Sequence, residues 1–159
     1  MQETTWRISW QEPSVRVRTT QGTRKPFLLL VSDETTGKIL AFGSLQDPPG
    51  EADILLVLFD ALVFARQDSG HLYPPAHLCV QHPLLSELLR AGKSLDITVE
   101  EVVPQTIPFV QQWERDLAER VLDRIQYTRL FDRACERTFG YAPFLAKQQA
   151  ARRVGLWMR

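Results

Sequence analysis

The chain has 159 residues, 44% of them hydrophobic and 24% charged, with only two cysteines. These values exclude wholesale disorder and a disulfide-built scaffold, and they fit one core-forming soluble protein. Nineteen basic and nineteen acidic residues cancel, but unevenly: residues 32–103 hold eleven acids against four bases, while residues 137–159 hold five bases and no acid.

Such asymmetry means that the basic tail either lies on its own acidic body or reaches for an anionic partner. The opening MQETTWRISW lacks the basic and then apolar pattern of a secretory signal, and no apolar run approaches the length of a bilayer crossing. The expectation is a cytoplasmic protein without a membrane partner, with Cys79 and Cys135 as thiols.

TWRISW alternates with Trp6, Ile8 and Trp10 on one side, and VRVRTT sets Val15 and Val17 against Arg16 and Arg18. Both patterns predict half-buried antiparallel strands. PFLLLVSDETTGKILAFGSL places two apolar runs around DETTG, where Gly37 supplies a positive φ and Asp33 bonds the turn backbone, which predicts a hairpin. ADILLVLFDALVFAR is a helix apolar nearly all round, which requires a sheet beneath it and another helix or a partner above.

AHLCVQ is the next strand, followed by a helix with Pro83 at its first position and an end at Gly92, then the strand LDITVEEVVP. From Pro108 the pattern turns helical, with Val110, Trp113, Leu117, Val121 and Ile125 as a stripe continued by Phe131 and Cys135. Asp116 with Arg120, and Arg115 with Glu119, are spaced as helix-surface pairs. Gly140 and Pro143 interrupt before the last amphipathic piece, FLAKQQAARRVGLWM.

The order predicts an α/β fold: a mixed, largely antiparallel sheet with N-terminal hairpins, flanking helices and a long C-terminal helical extension. The expected division is a core domain over 1–104 and a helical extension over 105–159.

Three groups of residues invite chemistry. HLYPPAHLCVQH holds all three histidines with Cys79, but His77 and Cys79 share one strand face whereas parity puts His82 on the other. Tight zinc pairs such as CxxC and HxxxH are missing, so partly buried structural roles are expected, with His82 setting the helix entry. A reactive thiolate at Cys79 is disfavoured by an interior strand position.

The second group is Asp33, Asp60, and the Glu51 and Asp53 pair, which with His82 are candidates for divalent-metal chemistry. Asp33 suits a turn, Glu51 and Asp53 suit a helix N-terminus, and Asp60 alone lacks a local role. The third is basic: Arg129, Arg133 and Arg137 at four-residue spacing, with Arg152, Arg153 and Trp157 in the tail, offer cations for phosphate and an aromatic for stacking.

The segments SDETTGKIL, ADILLVLFDALVFA, YPPAHLCVQHPLLSELL and DITVEEVV, from about Phe27 to Pro104, resemble an uncharacterised bacterial α/β domain family that carries no assigned chemistry. More distantly, hairpin strands followed by helix, strand and helix are similar to the ribonuclease H or integrase core. That resemblance implies an acid on the first strand, for which Asp33 at a strand end is the match, and another on the strand after the first helix. There the sequence reads CVQHP, with no acid.

The expectation is therefore a noncatalytic interaction module without a cofactor. It would be an accessory subunit of a larger cytoplasmic complex, whose basic, aromatic C-terminal tail contacts a protein or nucleic acid. The alternative is a metal-dependent nuclease or phosphotransferase of ribonuclease H-like architecture using Asp33, Asp60 and His82.

Overall fold

The computed structural model describes residues 3–69, 74–81, 84–118 and 120–157. In chain order the elements are β1 (Thr5–Gln11), β2 (Arg16–Thr19), β3 (Gly22–Arg24), β4 (Phe27–Asp33), β5 (Ile39–Leu45), α1 (Glu51–Ser69), β6 (His77–Val80), α2 (Leu85–Leu95), β7 (Thr98–Glu101), α3 (Pro108–Asp116), β8 (Val121–Leu122), α4 (Arg124–Phe139) and α5 (Pro143–Trp157). The fold is α/β, as the sequence predicts. No helix among the described residues is long and apolar enough to cross a membrane.

The compact units fall differently from the expected 1–104 and 105–159. One comprises residues 1–13 and 26–111, and the other comprises 14–25 and 112–159.

In the first unit a five-stranded sheet runs in the order β5-β4-β1-β6-β7. β4 is antiparallel to β5 and to β1, whereas β6 is parallel to β1 and β7 is parallel to β6. The antiparallel half is joined by a tight turn, in which the Asp33 carboxylate accepts the Thr35 and Thr36 N–H groups at 2.8 and 3.0 Å and Gly37 sits at φ 70°. The parallel half needs crossovers, and α1 and α2 supply them.

One sheet face carries Trp6, Ile8, Leu29, Val31, Leu78 and Val80, which pack against Ile54, Val57, Leu58 and Ala61 of α1 and Leu84 and Leu88 at α2. The first strand is therefore buried beyond the half that its alternation predicts. β1 is central, paired on both sides, and even Ser9 is fully buried.

α2 closes tightly on β7. A Cβ at Gly92 would stand 3.0 Å from the Ile97 carbonyl and overlap the Val99 side chain. The chain leaves α2 through Asp96, held in the left-handed region at φ 57°.

In the second unit β2 pairs antiparallel with β3 and parallel with β8. The helix expected to run on from Pro108 is interrupted, because Asp123 starts a new one. Its carboxylate accepts the Gln126 N–H at 2.8 Å, and the Gln126 side chain accepts the Asp123 N–H at 3.1 Å. This reciprocal cap fixes a helix start and leaves Val121 and Leu122 free to extend as β8.

The stripe divides accordingly. Trp113, Leu117, Phe131 and Cys135 are buried, whereas Ile125 is 64% exposed. The Asp116 carboxylate takes the Gln112 amide instead of Arg120, which lies beyond the end of α3. Glu119, the expected partner of Arg115, lies outside the described residues.

Gly92→Ala is expected to lower stability by about 1–2 kcal/mol, since displacing β7 outweighs the roughly 1 kcal/mol of helix propensity that alanine adds. Urea unfolding of the two proteins measures the difference.

Candidate anion-binding surface

Open α/β sheets bind ligands at the carboxyl ends of their parallel strands. Here that edge, at the ends of β1 and β6, is built from amides. The Gln81 side-chain oxygen accepts the Trp10 N–H at 3.1 Å, the Gln11 amide donates to the Gln105 carbonyl at 3.2 Å, and the Gln81 amide points to the same carbonyl at 3.5 Å. Gln11 and Gln81 are both buried. Sequence reasoning missed this cluster, since glutamines 70 residues apart carry no motif.

The resemblance to a ribonuclease H or integrase core implies acids on the first strand and after the first helix. The first strand is β1, TWRISWQ, which holds none, and Gln81 follows β6. Asp33 ends β4 opposite Trp6, near the start of β1 rather than its carboxyl end, and its carboxylate is engaged by turn amides.

The Asp53 carboxylate accepts the Gly50 N–H at 2.9 Å beside the exposed Glu51, and Asp60 is half-buried midway along α1. Among the described residues no three His, Cys, Asp or Glu side chains are grouped to hold a metal ion.

His77 meets the Glu3 carboxylate at 3.1 Å. Cys79 is partly buried on the same strand, and burial first, with Glu34 and Glu100 adding, pushes its thiol pKa up against the opposing pull of Arg7. A neutral thiol is the resting form, which does not suit a nucleophile. His71 and His82 lie outside the described residues.

Of the expected basic residues, Arg129 and Arg133 are brought together on one surface. α4 projects Arg129, Arg133 and Arg137 at four-residue intervals, about 6 Å of rise each, and all three are exposed. Arg120, Val121, Leu122, Gln126, Arg129, Leu130 and Arg133 line a concave surface of about 440 Å³. Three guanidinium groups border it, and among the described residues no acid does. Guanidinium forks match phosphate and carboxylate oxygens in pairs, while the apolar floor of Val121, Leu122 and Leu130 suits a flat or aliphatic group.

Sequence reasoning found Arg129, Arg133 and Arg137 but not Arg120 or Gln126, which the β8–α4 corner delivers. The signal for that corner was DRIQ, a capping-box spacing.

This surface rests on an aromatic cluster. Trp113 meets Tyr127 and Phe131 edge to face at 5.3 and 5.1 Å between centroids, and Phe144 of α5 meets Phe131 at 5.7 Å. Each such pair adds roughly 0.5–1.5 kcal/mol beyond its area. Beneath them the Cys135 thiol pKa is pushed up by burial and then by Asp132.

Asp132 also holds the last helix in place. Its two carboxylate oxygens accept the Phe144 and Leu145 N–H groups at 2.7 and 3.0 Å, capping α5 from α4. Further along α5, Arg152 is exposed, while the side chains of Arg153 and Trp157 lie outside the described ones.

No protein-family model matches the chain, and no curated protein matches it. Among solved structures it is similar to a chain of the cryo-EM structure of the simian T-cell lymphotropic virus intasome in complex with the PP2A regulatory subunit B56 gamma, at 14% identity and a TM-score of 0.43. The match covers 72% of this chain and spans 40% of that chain's length.

Asp132→Ala is expected to cost about 1–2 kcal/mol and to fray the first turn of α5. Hydrogen exchange reads this as faster exchange at Phe144 and Leu145 with the β4 amides unchanged.

Proposed function

We propose that the chain is a noncatalytic interaction module, an accessory subunit of a larger cytoplasmic complex, and that it meets an anionic partner through α4. The observation that carries this reading is the concave surface bordered by Arg120, Arg129 and Arg133, with no acid among its described lining residues. Exposed arginines usually form a solvated helix face. Three converging on one concavity, over an apolar floor, is what oriented binding of a phosphate or carboxylate group requires.

The partner is a nucleic-acid backbone or an acidic protein face, with Arg137, Arg152, Arg153 and Trp157 extending the contact toward the tail. The strand arrangement of the first unit, three antiparallel strands followed by two parallel ones entered through helices, supports kinship with the ribonuclease H or integrase core. Buried amides at its strand ends support a core that has no catalytic role.

The test is binding of the full chain to labelled single-stranded RNA and DNA, followed by fluorescence anisotropy, beside capture of protein partners with and without nuclease. Arg129→Glu with Arg133→Glu is expected to weaken binding at least tenfold while leaving the circular dichroism spectrum intact. Unchanged binding by the double variant, to nucleic acid and captured proteins alike, overturns the proposal.

A further inference from the structure

One wall of the arginine concavity is a strand edge. β8 lies at the margin of its three-stranded sheet and pairs with β2 alone. Val121 and Leu122 of β8 line the concavity, whereas Arg16 and Val17, their partners on β2, do not. The concavity therefore opens along the backbone edge of β8 that faces away from β2. Such an edge presents N–H and C=O groups that are a template for one more strand.

We infer, resting on the anion-binding reading of this surface, that its occupant is an extended acidic peptide of a protein partner, laid beside β8. Charge complementarity asks for an anion, since Arg120, Arg129 and Arg133 border the concavity and no acid does among its described lining residues. The rest of the lining selects a peptide over a nucleic-acid strand. Only a peptide carries the amides that continue a β ladder, and a sugar-phosphate backbone has none. The floor is aliphatic, made by Val121, Leu122 and Leu130, with Ile125, 64% exposed, one turn before Arg129. Single-stranded nucleic acids bind through bases stacked on aromatic rings, and no aromatic side chain is among the described lining residues.

The spacing of the charges fits an extended chain. Alternate side chains of a strand share one face and stand roughly 6.6 Å apart, close to the rise of about 6 Å between Arg129 and Arg133. A peptide running along α4 therefore sets carboxylates at positions i and i+2 against these two guanidinium groups. An aliphatic residue at i+4, on the same face, meets the apolar floor. Arg120, which leads into β8, offers a third fork.

Fluorescence anisotropy of the full chain with three labelled probes tests this. The probes are a decapeptide carrying Glu-Ser-Glu-Ser-Leu twice, the same peptide with glutamine for glutamate, and a single-stranded oligouridylate of about ten nucleotides. The acidic peptide is expected to bind at least tenfold tighter than either of the others. It is expected to lose at least tenfold in affinity to the variant with Arg129→Glu and Arg133→Glu, and as much when one of its two sets of alternate backbone amides is N-methylated. No binding of the acidic peptide at up to about 100 μM protein overturns the inference, as does equal binding with either set of amides methylated. Tighter binding of oligouridylate, lost in the double arginine variant, also overturns it but leaves the anion-binding surface standing. Probes that the double variant binds as well as the parent does overturn both.

Discussion

β1 exchanges backbone hydrogen bonds with β4 along one edge and with β6 along the other, so its pairing joins the antiparallel and parallel halves of the main sheet. A slip of one residue in either register would turn Trp6 and Ile8 away from α1 and carry Arg7 and Ser9 into the core. The alternation of TWRISWQ guards that register, and Arg7, paired with the Glu34 carboxylate, is held on the opposite face. With the register set, the carboxyl ends of β1 and β6 fall side by side, and Gln11 and Gln81 meet over the Gln105 carbonyl.

That meeting bears on what the molecule does. Carboxylates crowded at such an edge would repel one another and need cations to hold them. Amides need neither, since each offers a donor and an acceptor, and here they bond backbone groups and each other's partner. At this edge the amides tie the strand ends to the Trp10 N–H and the Gln105 carbonyl. The charged surface lies elsewhere, in the second unit, where a capping box at Asp123 and an aromatic cluster around Phe131 turn a row of arginines and the β8 corner into one concavity.

Much of the fold was legible in the sequence. The hairpin turn followed from Asp33 and Gly37, the crossover helices from their apolar periodicity, and β6 from AHLCVQ between prolines. What escaped was non-local. That β1 is central depends on the parallel pairing with β6, some 70 residues away, which periodicity does not encode. The break between α3 and α4 escaped because the apolar stripe runs through it, and a single Asp–Gln cap outweighs that stripe. The site divides in the same way. Three arginines of α4 are visible as a four-residue spacing, whereas Arg120 and Gln126 join them only through the corner that the broken helix creates. The exposed row of Leu55, Leu56, Phe59 and Val63 on α1 was visible as an excess of apolar residues, but which of them face outward needed the sheet beneath.

Salt dependence of nucleic-acid or acidic-partner binding tests the central claim most directly. If the arginine concavity makes the contact, log affinity falls linearly with log salt concentration, and removing Arg129 and Arg133 together lowers the magnitude of that slope by about two. A slope that the double substitution leaves unchanged would contradict the account.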